Sequence, residues 1–208
     1  MTDKKSTSQT ISKIINLLIG IIVFWTWSCM TFRLGRLGAQ STGGFSNLRY
    51  FTVLSNLFQG VVSLAYFFGR KVSRLKYAAT TAIAFTFIVV LCFLGPTRGY
   101  DSVYSGANFF SHLVVPVLAI ADFLIFDREG TFTLRDSFIA MIPMLAYSIF
   151  YIGNLCINGI EGNDFYGFAR GGIAAAIPIL LLLPVANWVI ALVLRLPRRD
   201  QVSRGKSK

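Results

Sequence analysis

Six long stretches with almost no charge divide this chain: residues 14–32, 50–69, 77–95, 107–126, 138–157 and 171–194. Each reaches about 20 residues, the length a helix needs to cross roughly 30 Å of hydrocarbon. Backbone groups have no partner in lipid, so a spanning segment must satisfy its own hydrogen bonds, and the helix does so. A membrane barrel would need short alternating segments, and these runs do not alternate. The expected fold is therefore all-α: a polytopic integral membrane protein of six transmembrane helices. It comprises a cytoplasmic segment 1–13, a six-helix domain 14–194 and a basic cytoplasmic tail 195–208. Composition agrees, since only 14% of the residues are charged and 54% are hydrophobic, against about a quarter charged in an ordinary water-exposed domain.

A net charge of +11 could suggest nucleic acid, but its distribution points to a membrane. With the N-terminus in the cytoplasm, the cytoplasmic segments hold 15 Lys and Arg residues and the opposite side holds five: Arg33, Arg36, Arg49, Arg98 and Arg170. This bias sets the orientation as N-in, C-in. The expected partners of the basic tail are anionic lipid headgroups, with no nucleic acid. The first apolar run is long for a signal peptide and lacks a small-residue cleavage site after it, so it is expected to be retained.

Polar residues inside spans carry the most information, because each needs a partner away from lipid. In the second span, Thr52, Ser55, Asn56, Gln59 and Ser63 stand at offsets 0, 3, 4, 7 and 11. At about 100° per residue they share one stripe, which is expected to face protein. Phe51, Val53, Leu54, Leu57 and Phe58 are expected to face lipid. The fourth span holds the chain's one histidine, His112, with Asn108 one turn earlier and Pro116 one turn later. Proline has no N–H for the His112 carbonyl, which favours a kink there. The fifth span places Tyr147, Tyr151 and Asn154 on one face. Under the six-span topology these groups gather in the outer half of the bundle. Thr52 and His112 fall at matching depth, roughly 3–8 Å below its outer edge. The inner half is expected to be nearly bare of polar groups, with Asp122, Asn187 and Ser63 as scattered exceptions and Asp122 near enough to the cytoplasmic face to reach water or Arg128.

A neutral imidazole can take a proton from a hydroxyl and return it, so Thr52 and His112 form a candidate acyl-transfer pair. Asn56, Gln59, Asn108, Tyr151, Asn154 and Arg49 are candidate substrate-binding residues. Asn56 or Asn108 could donate to an oxyanion, and Arg49 or Arg170 could pair with a carboxylate or phosphate. A single histidine and three dispersed cysteines make no standard metal set, so neither a metal nor a cofactor is expected.

The segments Tyr50-Phe51-Thr52-Val53-Leu54-Ser55-Asn56-Leu57, His112-Leu113-Val114-Val115-Pro116 and Asp122-Phe123-Leu124-Ile125-Phe126 resemble the bacterial predicted six-transmembrane proteins. Those are similar in turn to the androgen-induced protein family of animals, which are membrane threonine hydrolases of fatty acid esters. The resemblance implies a bacterial plasma-membrane location, Thr52 as nucleophile and His112 as its partner. Where the animal proteins carry an acidic residue just after the threonine, this chain offers Ser55 and Asn56. Two functions stay open at this point. One is a membrane-embedded lipid ester hydrolase or acyl-transfer enzyme, with membrane lipids or fatty-acid esters as substrates. The other is a non-catalytic protein that binds or transports a lipid or small amphiphile through the same polar pocket.

Overall fold

The computed structural model describes residues 2–39, 41, 43–127 and 130–205, and among these all regular structure is helical. Six long helices alternate in direction: α1 (Thr2–Phe32), α2 (Phe51–Phe67), α3 (Ser73–Arg98), α4 (Ala107–Phe126), α5 (Leu134–Asn158) and α6 (Ile173–Gly205). Five of them are long and apolar enough to cross a membrane, and α2, at 17 residues, falls just short of that length. The end where α2, α4 and α6 begin is called the upper end here.

The segment expected to precede the first span continues α1 as helix from Thr2, and α6 runs past the expected boundary at residue 194 to Gly205. Lys206, Lys208 and Arg128 lie outside the described residues. Helix α5 starts where its sequence requires. The Thr133 hydroxyl accepts the Asp136 N–H at 3.3 Å, and the Asp136 carboxylate accepts the Thr133 N–H at 2.7 Å. This reciprocal capping box satisfies two donors that would otherwise be orphaned.

Helix α3 occupies the middle of the bundle, packed by α2, α4, α5 and α6, while α1 packs on α2 and α4, and α5 on α6. Its sequence explains the position. Ala78, Ala79, Thr80, Thr81, Ala82 and Ala84 are all 5% exposed or less, and small side chains let neighbouring backbones approach closely where lipid supplies no hydrophobic drive. Helices α2 and α5 do not close over α3. They leave an apolar groove of about 550 Å³, with Ala82 as its floor and Leu54, Phe58, Pro143 and Phe150 on its walls.

The polar stripe of α2 faces inward as its period requires: Ser55, Asn56, Gln59 and Ser63 are all buried. The opposite face does not follow the simple division. Phe51 and Val53, expected to face lipid, are 8% and 7% exposed. Phe51 packs against Phe85 and Tyr147 at ring separations of 6.1 and 5.1 Å. A bundle with a central helix surrounds α2 on more than one side, so a single stripe does not account for all its buried positions.

The lower end departs further from expectation. Asp122 is fully buried, and its carboxylate lies 2.6 Å from the Lys76 ammonium and accepts a hydrogen bond from the Asn16 amide at 2.6 Å. Lys76 also reaches Asp127 at 2.9 Å and lies over the Tyr66 ring at 3.7 Å. Asp122 thus reaches another helix rather than water. Lys76, which hydropathy alone assigns to a loop, is 1% exposed. Charges buried this deeply persist only when paired and hydrogen-bonded.

Candidate functional site

The upper end holds a cavity of about 290 Å³, and Thr52, Asn108, Ser111 and His112 all line it. Five segments meet there: the end of α1, the loop after it, the start of α2, the end of α3 with the start of α4, and the α5–α6 loop.

Three hydrogen bonds set the start of α2. The Phe51 N–H donates to the Tyr166 hydroxyl (3.0 Å), the Tyr147 hydroxyl donates to the Arg49 carbonyl (2.7 Å), and Asn47 donates to the Thr31 hydroxyl of α1 (3.1 Å). Thr52 follows directly and is half-buried at the cavity wall. Burial pushes the Tyr166 hydroxyl above the ordinary phenol range, so at neutral pH it remains an intact hydroxyl.

On α4 the helix widens into a π turn over Phe110–Val114. Pro116, one turn beyond His112, supplies no N–H to the His112 carbonyl, the kind of missing bond at which helices widen or bend. His112 is 9% exposed, and its Nδ1 lies 2.7 Å from the Val103 carbonyl oxygen. A carbonyl can only accept, so Nδ1 carries the hydrogen. In the neutral ring the lone pair then resides on Nε2. A backbone carbonyl thereby takes the orienting position that a carboxylate occupies in a Ser-His-Asp arrangement. Among the described residues no hydrogen bond joins the Thr52 hydroxyl to the His112 ring.

The other candidates divide into those at the cavity and those that build around it. Asn108 lines it. Asn56 uses its amide N–H groups on two carbonyls, Thr52 at 2.8 Å and Ser111 at 3.1 Å, so it ties α2 to α4 and has no N–H left for a ligand. Gln59 is fully buried below the cavity, bonded to Ser63 at 3.0 Å. Tyr151 does not reach the cavity. It donates to Asp164 at 2.6 Å and accepts the Tyr166 N–H at 3.2 Å, which holds the loop that brings Phe165 and Tyr166 to the cavity wall. Asn154 bonds to Asn158 at 2.9 Å, away from the cavity. Arg49 does not line the cavity itself but lies against two residues that do, Tyr50 and Phe165. Its guanidinium lies 5.2 Å from both the Tyr50 and the Phe165 ring centroids and donates to the Tyr50 hydroxyl at 3.2 Å.

Val103, Tyr166 and Arg98 went unsingled in the sequence. The Val103 contribution is a backbone atom, which no residue pattern reveals. Tyr166 sits in a loop, and Arg98 stands just beyond an apolar run, where a basic residue is commonplace.

Fold and cavity together define an all-α membrane protein with a small polar chamber at one end of its bundle. No family model, no curated protein and no solved structure matches the chain.

Proposed function

We propose that the protein is a six-span, N-in/C-in plasma-membrane enzyme that transfers or hydrolyses the acyl group of a lipid ester, with Thr52 as nucleophile. The observation that carries this reading is that Thr52 and His112, from two different helices, line one cavity while Val103 anchors His112 through Nδ1. In the proposed reaction, Nε2 takes the Thr52 proton as Oγ1 attacks the ester carbonyl, and the Asn108 amide donates to the oxyanion. The tetrahedral intermediate collapses, the alcohol leaves with the proton from Nε2, and an acyl-threonine remains. Water or a second alcohol, deprotonated by Nε2, then releases the acyl group. In the proposed reaction the Thr52–His112 hydrogen bond forms as the substrate seats, since catalytic hydrogen bonds commonly tighten only in the complex with substrate.

Two features support the six-span topology. A helix of 17 residues is at the lower end of the spanning range of about 17–25 residues, and the basic residues favour one side. Reporter fusions at both termini and in the 99–106 loop would test it. The reading fails if the termini lie on opposite sides.

The enzymatic test uses purified protein, a fluorophosphonate probe and a fatty ester. Labelling and turnover should disappear in Thr52→Ala and His112→Asn and survive in part in Thr52→Ser. Saturable binding of the ester with no turnover in any variant would replace the enzyme by a lipid-binding or carrier protein built on the same chamber.

A further inference from the structure

We infer that the upper cavity takes an amphiphile ending in a carboxylate or phosphate, and that Arg98 recognises that charge. In naming the substrate class this rests on the reading of the cavity as the reactive site, but the binding argument stands on the cavity's own composition. Among the described residues that line it, Arg98 carries the one permanent positive charge and none is a carboxylate. The Arg98 guanidinium has no hydrogen bond, ion pair or ring contact among the described residues, unlike Arg49 with its two aromatic faces. Asp101, the nearest carboxylate in sequence, is exposed and does not line the cavity, and Asp164 already accepts from Tyr151, Phe168 and Ala169. An unpaired planar fork of donors facing an acid-free chamber suits an anionic oxygen pair.

Position and size narrow the ligand further. Arg98 is the last residue of α3, at the level where the polar ends of amphiphiles sit and apolar chains begin. The cavity holds 290 Å³, room for roughly ten groups the size of a water at about 30 Å³ each. That accommodates a charged end and the first carbons, not a whole diacyl lipid. The segment bearing Arg98 is also fixed relative to His112. Tyr100 donates to the Leu91 carbonyl at 2.9 Å and stacks on Tyr104 at 6.0 Å, and Val103 in the same segment holds the imidazole.

The test measures binding of a dansyl-labelled fatty acid and of its methyl ester to the full chain in neutral detergent, with lysophosphatidate, acetate and inorganic phosphate as competitors. The acid should bind well and the methyl ester poorly. Arg98→Gln should weaken the acid by about tenfold or more, the scale of a charge-assisted pair, and Arg98→Lys should weaken it less. Competition by lysophosphatidate but not by acetate or phosphate supports an amphiphile, whereas equal competition by the small anions overturns that part. Equal affinity for acid and ester in the wild type, or unchanged affinity in Arg98→Gln, overturns the inference and leaves Arg98 as a charge that complements the end of α3. Arg98 is exposed, so its replacement should leave the fold intact, which size-exclusion elution and thermal melting confirm. The wild type separates the two readings: saturable acid binding without ester turnover would sink the enzyme and spare the anion site.

Discussion

Nδ1 of His112 lies 2.7 Å from the carbonyl oxygen of Val103, nine residues earlier in the chain. This one contact joins the loop above the cavity to the widened turn of α4 and sets which ring nitrogen holds the lone pair. His112→Asn can keep a donor near the Nδ1 position, whereas His112→Ala leaves the buried carbonyl without one. The alanine variant should lose about 1–3 kcal/mol of stability and the asparagine variant clearly less, with both inactive. Thermal melting in detergent beside ester turnover checks both statements.

Asn56 sits between two carbonyl oxygens, those of Thr52 and Ser111. Asn56→Asp would replace the donating NH2 by an acceptor facing two acceptors. It should destabilise the protein more than Asn56→Leu, which removes the donor without adding a charge. If the aspartate variant melts at or above the leucine variant, the bridging role is wrong.

Lys76 stands within ion-pair distance of two buried carboxylates. Lys76→Met removes the cation that faces both carboxylates and should cost about 3–5 kcal/mol. Adding Asp122→Asn to that variant should restore part of the loss, since it removes the buried charge that Lys76 balanced at 2.6 Å. A double-mutant cycle measured by chemical or thermal denaturation reads this directly, and simple additivity would show that the two residues do not interact.

Gly38 lies in the turn after α1, close to the chain it folds back on. A Cβ there would stand 2.1 Å from the Cys29 carbonyl oxygen and 2.8 Å from the Arg33 Cα. Backbone atoms cannot step aside as a flexible side chain can, so Gly38→Ala should displace the loop that brings Leu37 and Ser41 to the cavity. Ligand binding should fall together with the melting temperature. A variant with wild-type affinity would show that this loop does not shape the chamber.

The Tyr166 hydroxyl accepts the N–H of Phe51, next to Thr52. Tyr166→Phe should cost about 0.5–1.5 kcal/mol, the net value of one such bond. It should also lower turnover by loosening the start of α2. Unchanged turnover would mean that Thr52 is positioned without this clamp.

Residue order along the chain was enough to read the membrane class, the apolar stretches and the inward stripe of α2. Lipid imposes those constraints on each segment separately: twenty apolar residues, internally bonded backbone, polar groups turned from the hydrocarbon. The pairing of Thr52 with His112 in depth could be read from spacing because both stand near the start of their helices. Their shared cavity could not, since it depends on how α2 and α4 rotate against α1 and α3.

The lower end shows the same boundary from the other side. Hydropathy set Lys76 in a loop and Asp122 near water, because each was weighed with its own neighbours along the chain. Folding places them 2.6 Å apart, and an ion pair made between two helices has no signature in either one. The Val103 carbonyl that holds His112 is the clearest case. Every residue owns a carbonyl, so which one an imidazole meets depends on the path of the chain through space and not on the identity of any side chain.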